Sequence, residues 1–139
     1  MAAAALTPRV RSMVVCDGAM ASDIEDGVYT LEGVRQRLVA SVFPCRRDLD
    51  VFLLLSYPRR GTYRGWIRVA QYPSDKAIRM QHFKARFTTE NELLPLTVVL
   101  DNCAFPSAGP YLFEVWFEGR DADPVQKAEQ PFVVRLAQE

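Results

Sequence analysis

The chain has 139 residues, 49% of them hydrophobic and 11% aromatic, which is enough to bury the core of one domain without disulfides or metals. Its 17 basic and 17 acidic side chains balance to zero net charge. No apolar run is long enough to span a bilayer, and the apolar start at residues 1–6 lacks the basic leader of a secretory signal. Three cysteines without zinc spacing favour reduced thiols, so we expect a cytoplasmic protein.

Apolar and polar residues alternate along most of the chain, and this period of two predicts β-strands. The clearest strand is 110–119. One of its faces carries the apolar residues Tyr111, Phe113, Val115 and Phe117, and the opposite face carries Glu114 and Glu118. A nearly continuous apolar run at 49–57 predicts a central strand covered on both faces. Taken in order, the predicted strands are 9–16, 28–33, 34–42 (a strand or an irregular crossing), 49–57, 62–72, 76–88, 94–104, 110–119 and 132–136.

Turn residues separate these short strands at fairly even spacing, and no helical period appears between them. The prediction is an all-β fold, an antiparallel immunoglobulin-like β-sandwich of about eight strands. Residues 1–8 are interpreted as a flexible tail, residues 9–139 as a single domain, and residues 17–27 as a polar loop. Tyr111 is expected to turn its hydroxyl to a corner while its ring packs inward.

Two segments together resemble a known family. Cys16-Asp17 precedes Asp26-Gly27-Val28-Tyr29-Thr30-Leu31-Glu32-Gly33-Val34, and Phe43-Pro44 precedes the long apolar strand. Then follow Phe105-Pro106-x-x-Gly109-x-Tyr111-x-Phe113-x-Val115 and Pro131-Phe132-Val133-Val134. Over about residues 13–136 this is similar to a bacterial and phage-associated family of small uncharacterised β-sandwich domains. The chain departs from it at Asp26-Gly27-Val28, where the family has Asn-Gly-Lys. The resemblance implies an immunoglobulin-like sandwich and brings no known activity or catalytic residue.

Charge is segregated along the chain. Residues 1–34 carry 2 basic and 5 acidic side chains, residues 35–86 carry 12 and 3, and residues 87–139 carry 3 and 9. The basic block has aromatic residues interleaved, as in surfaces that bind single-stranded nucleic acid. The alternatives are ordinary cross-strand pairing with the late acidic strands, or contact with an acidic protein patch, including another copy of the chain. The candidate binding residues are Arg59, Arg60, Arg64, Trp66, Arg68, Lys84 and Arg86.

Catalytic and metal motifs are weak. His82 is the single histidine and is interpreted as a surface residue, because no nucleophile signature accompanies it. The acidic loop at 17–27 lacks the distal glutamate of a calcium loop, so a solvated loop is favoured and no metal or cofactor is expected. The predicted function is therefore a non-enzymatic protein-interaction or structural module that binds a protein partner or itself. A binder of nucleic acid or another polyanion is the first alternative, and a hydrolase or metal-dependent enzyme is the second.

Overall fold

The protein is described from a computed structural model, which covers residues 7–119 and 123–137. It is all-β, and none of the described residues is helical. The described part of the chain therefore contains no helix that could cross a membrane. The described residues form nine strands. They are β1 (Arg9–Ala21), β2 (Tyr29–Val34), β3 (Arg37–Ala40), β4 (Cys45–Tyr57), β5 (Gly61–Gln71), β6 (Ala77–Phe87), β7 (Glu92–Phe105), β8 (Gly109–Phe117) and β9 (Val125–Leu136).

The strands pair into two sheets that face each other across the core. The four-stranded sheet has the order β2-β1-β4-β7, and the five-stranded sheet has the order β3-β9-β8-β5-β6. All pairings are antiparallel except that of β3 with β9, which is parallel. The five-stranded sheet is curled into a half-barrel, so the predicted immunoglobulin-like sandwich of about eight strands is not confirmed, and the described residues form nine strands.

The core follows directly from the alternation in the sequence. Inward residues of β4, such as Leu53 and Leu55, meet inward residues of β5 and β8, such as Ile67 and Phe113, and all four are fully buried. Each such side chain contributes about 1.5–3 kcal/mol on burial. The other face of β4 is only half-buried, so the prediction that this strand is covered on both faces is wrong. Its outward Phe52 instead packs on Tyr29, with ring centroids 5.1 Å apart.

The predicted corner at Tyr111 is confirmed. Its ring is buried, and its hydroxyl donates to the carbonyl of Ser107 at 2.6 Å. This bond ties the β7–β8 turn to the strand that follows it, because residue 107 lies in the turn and residue 111 lies in β8.

Two boundary expectations change. The polar loop predicted from Asp17 is shorter than expected, because β1 continues through Ala21 as one arm of a hairpin with β2. The predicted tail falls largely outside the described residues, and its last two members, Thr7 and Pro8, are buried.

Candidate functional site

The predicted binding residues divide between an open sheet face and a turn. Arg64, Trp66 and Arg68 all point outward from β5, because the inward positions of that strand are Gly65, Ile67 and Val69. Lys84 and Arg86 lie on the neighbouring strand β6 and are exposed. Arg59 and Arg60 are exposed in the turn between β4 and β5 and do not lie on the sheet.

A pair of tryptophans forms the centre of this outer face. Trp66 on β5 is the direct cross-strand partner of Trp116 on β8, and the two indole planes are parallel within 1°, with ring centroids 6.2 Å apart. His82 on β6 lies on the other side of Trp66, with a centroid distance of 5.7 Å. We call this row of three rings, His82–Trp66–Trp116, the aromatic row. The two indoles are half-buried and the His82 ring is exposed, so the row offers ring surface flanked by cations.

A buried carboxylate fixes Trp116, one ring of the aromatic row. Glu114 is only 5% exposed, and its Oε1 accepts hydrogen bonds from Trp116 Nε1 at 2.8 Å and from Arg68 Nη1 at 3.1 Å. The Arg68 guanidinium also donates to the carboxylate of Asp75 at 2.8 Å and to its backbone carbonyl at 2.7 Å. The hydrogen bond to Asp75, followed by that to Glu114, raises the pKa of Arg68. Arg68 is therefore a structural partner of late-strand acid, not a free cation for a ligand.

The cations beside the aromatic row differ from Arg68. Arg64 and Lys84 are direct cross-strand partners, and neither forms an ion pair with a carboxylate among the described residues; the same holds for Arg86. Like charges placed opposite each other on a sheet are unfavourable unless something neutralises them. This part of the face is therefore suited to a negatively charged ligand.

A second candidate surface is the hairpin formed by β1 and β2. At its base Asp17 receives two hydrogen bonds from Arg35, at 2.5 and 2.9 Å, and one from Arg47 at 3.3 Å. The hydrogen bonds from Arg35 have the largest effect, and together with the bond from Arg47 they hold the pKa of the Asp17 carboxyl below its usual range. Gly33 lies against this carboxylate with φ +60°, and a Cβ there would come 2.2 Å from Asp17 Oδ2. The base of the hairpin is thus fixed by a charge network that only a glycine accommodates.

The hairpin ends in an ordered turn, residues 22–28, which we call the hairpin tip. The Ser22 hydroxyl accepts hydrogen bonds from the backbone N–H groups of Ile24 and Glu25 at 3.2 and 3.1 Å, and Ser22 N–H donates to the carbonyl of Val28 at 2.8 Å. The Ile24 side chain is nevertheless 98% exposed. Around it stand exposed Asp23, Glu25 and Asp26, so the tip combines an apolar point with negative charge.

A third feature is an open cleft of about 1100 Å³ where the start of β1 meets the end of β4. Its cationic lining comes from Arg9 and Arg11 on β1 and from Lys127 on β9, and no Asp or Glu among the described residues lines it. The Arg11 guanidinium donates to the Ser56 hydroxyl at 2.8 Å. Burial and the nearby Arg9 charge lower the pKa of Lys127. We call this feature the basic cleft.

The remaining reactive groups do not assemble into catalytic machinery within residues 7–119 and 123–137. All three cysteines are free, and burial raises the pKa of Cys103 to about 11, which suppresses its thiolate. His82 makes no hydrogen bond to a serine, cysteine or carboxylate in that part of the chain. No three His, Cys, Asp or Glu side chains there converge as a metal ion would require.

Sequence reasoning missed several of these residues. Trp116 shares the outward phase of β8 with Glu114, and an outward tryptophan between two glutamates is the signal that marks it. Ile24 was readable as an apolar residue isolated among acids. The basic cleft had no readable signal, because Arg9 and Lys127 are 118 positions apart and meet only through the packing of β1 beside β9.

No protein-family model matches the chain, and no curated protein sequence matches it. Among solved structures, the C-terminal domain of wzt is similar, with a TM-score of 0.48 and 7% sequence identity. The superposition covers 95% of this chain and 74% of that chain. A similarity of this degree carries no inference about function.

Proposed function

We propose that this protein is a non-enzymatic protein-interaction module whose principal contact element is the hairpin tip. The observation that carries the proposal is the 98% exposure of Ile24 on a turn fixed by hydrogen bonds. Met20 and Val28 on the same hairpin are also exposed, at 58% and 43%. Covering such side chains with a partner is worth about 1.5–3 kcal/mol each.

The order of the tip adds to this argument. Binding costs free energy when a loop must be immobilised, and a turn already held by the Ser22 hydroxyl avoids much of that cost. The charge network of Asp17 fixes the hairpin base in the same way. The acids around Ile24 favour a partner surface with basic residues, since complementary charge speeds encounter and excludes wrong partners.

The experiment places a photo-crosslinking amino acid at position 24 of the full chain, in the cells that make the protein, and at position 74 as a control. Ser74 is also exposed and lies in the β5–β6 turn. The proposal predicts a discrete protein adduct from position 24 that position 74 does not give. The adduct partner is then purified, and Ile24→Ser is expected to weaken its binding about tenfold or more. Equal adducts from both positions, or none from position 24, contradict the proposal.

A second candidate function, binding of a polyanion such as single-stranded nucleic acid, is favoured by the aromatic row and the cations beside it. Parallel indoles offer stacking surface for bases, and Arg64 and Lys84 face each other without a described carboxylate partner. Arg68 contributes less to such binding than the sequence suggested, because Glu114 and Asp75 already neutralise it.

Fluorescence anisotropy with a labelled single-stranded oligonucleotide tests this candidate. Binding is expected at about 20 mM salt and to weaken steeply toward about 200 mM, because bound phosphates release counterions. The variant Arg64→Ala/Lys84→Ala removes the binding, whereas Arg9→Ala/Arg11→Ala removes the same charge from the basic cleft and preserves it. Binding that survives the first variant, or that a neutral oligosaccharide reproduces, rules the candidate out.

We also propose an immunoglobulin-like fold, a cytoplasmic location and membership of the bacterial domain family. An immunoglobulin-like fold is supported by the Tyr111–Ser107 bond, by β4 lying between β1 and β7, and by β3 running parallel to the last strand. A cytoplasmic location is supported by the three free cysteines. Membership of the bacterial domain family rests on the sequence segments already named.

A further inference from the structure

We infer that the partner of the hairpin tip is a second copy of this chain, whose basic cleft receives the tip. This rests on the proposed function and names its partner. The cleft brings Arg9, Arg11 and Lys127 together from two strands, and none of the three has an ion pair with a described carboxylate. Cations gathered in one cleft repel one another, so an acidic occupant stabilises them.

The tip and the cleft match in chemistry. The tip presents Asp23, Glu25 and Asp26 around the exposed Ile24. The cleft offers apolar surface as well as charge, since Val10 lines it and so does Leu93, which is 61% exposed. Its volume of about 1100 Å³ accommodates a turn with several side chains.

The geometry makes this contact one between molecules. The cleft lies at the first residues of β1 and the tip follows its last residue, and this strand has 13 residues. A strand of that length extends roughly 40 Å at about 3.3 Å per residue, and none of the tip residues lines the cleft. Tip and cleft are different surfaces of one chain, so this head-to-tail contact closes into a ring, of which a reciprocal two-fold dimer is the smallest, or continues as a filament.

Sedimentation velocity of the full chain measures this association. At about 50 mM salt the protein is expected to self-associate as its concentration rises, and at about 500 mM salt the association weakens because the charges are screened. Ile24→Ser is expected to reduce the association constant about tenfold or more at both salt concentrations, because it removes the apolar contact.

Charge reversal gives the decisive test. Arg9→Glu/Arg11→Glu makes the cleft acidic, and Asp23→Lys/Glu25→Lys makes the tip basic; all four side chains are exposed, and circular dichroism checks that each variant folds. Each variant alone is expected to stay monomeric, since its tip and cleft then carry like charge. An equimolar mixture is expected to associate, because each tip meets a cleft of opposite charge. The control is Lys84→Glu/Arg86→Glu on the five-stranded sheet, which changes the net charge by the same amount as Arg9→Glu/Arg11→Glu. It is expected to associate as the wild-type chain does.

Several results overturn the inference. One is a wild-type chain that remains monomeric up to about 1 mM at low salt, the weak end of specific association. Others are a mixture of the two reversed variants that fails to associate, or a monomer whose cleft binds inorganic phosphate in place of a second copy. If the position-24 crosslink identifies a different protein, the inference fails and the proposed function stands. If position 24 gives no specific adduct, the proposed function fails as well.

Discussion

Glu114 is the residue that joins Trp116 of the aromatic row to Arg68. Its buried carboxylate accepts from both Trp116 and Arg68. Glu114→Gln keeps the size but removes the charge, which leaves Arg68 in a half-buried site with Asp75 alone. We expect a loss of about 2–4 kcal/mol in the free energy of unfolding, measured by urea denaturation.

Asp75→Asn is the matched control for Glu114→Gln, because Asp75 contacts the same guanidinium but its side chain is 74% exposed. This variant is expected to lose less than about 1 kcal/mol in the free energy of unfolding. Equal losses for the two variants would show that the buried carboxylate has no special role.

The thiol of Cys103 is predicted to be unreactive in the folded protein. Burial raises its pKa to about 11, so at pH 8 only about one thiol in a thousand is ionised. Cys45 is half-buried and is expected to react first with a disulfide reagent in native buffer, whereas all three thiols react in urea. Rapid native modification of Cys103, mapped by mass spectrometry, would contradict this assignment.

At the residue scale, predictions succeeded where a local pattern fixes the outcome. The corner at Tyr111 was readable because its partner, Ser107, lies four residues away. The inward position of Tyr111, Phe113, Val115 and Phe117 on β8 followed from strand alternation. The pairing of Trp66 with Trp116 and that of Arg68 with Glu114 were not readable, because both depend on the register between β5 and β8, which alternation does not specify.

The hairpin of β1 and β2 is the element on which the proposed function depends. Gly33→Ala is expected to destabilise it by about 1–2 kcal/mol, because a side chain at φ +60° is strained and its Cβ overlaps Asp17. Gly18→Ala on the adjacent strand is the control, since a Cβ there meets no atom within 4 Å. Hydrogen exchange of the hairpin amides should therefore accelerate in the first variant only, and similar acceleration in both would refute the anchoring role of Gly33.

The anchoring of the hairpin is also predicted to depend on pH. The pKa of Asp17 is lower in the folded state than in the unfolded state. Its contribution to the stability of the hairpin is therefore complete above the ordinary aspartate pKa of about 3.9. It is lost as the pH falls through the lowered value and the carboxyl becomes protonated. Hairpin amides should exchange faster relative to the core below about pH 4, and Asp17→Asn should remove this difference.

At the element scale, the sequence predicted most strands but misplaced some limits and phases. The glycine and the acids after Cys16 suggested a loop, yet pairing with β2 extends β1 to Ala21. The register of β6 shifts beside Ile78, opposite Val69 and Ala70, and alternation along the segment 76–88 does not locate that shift. Partner strands decide both features, and a single segment does not contain that information.

At the scale of the whole molecule, segregated charge produces distinct surfaces. Within the basic block of residues 35–86, Arg64 and Lys84 lie on the five-stranded sheet without a described carboxylate partner. Arg68, Arg35 and Arg47 of the same block pair with acids. The acidic early segment becomes the hairpin tip, and the basic cleft takes its cations from β1 and β9. The zero net charge of the chain therefore arises from surfaces of opposite sign, which favours association at low salt.

Head-to-tail association through the hairpin tip is best tested by nuclear magnetic resonance spectra of the wild-type chain, recorded at low salt over a series of protein concentrations. If the tip of one molecule enters the cleft of another, backbone amide shifts change together at residues 23–28 and around Arg9, Leu93 and Lys127, and those of the aromatic row stay unchanged. Shifts confined to Trp66, Trp116 and their neighbours would place the contact on the five-stranded sheet. That result, or an unchanged spectrum across the whole concentration range, would contradict head-to-tail association through the hairpin tip.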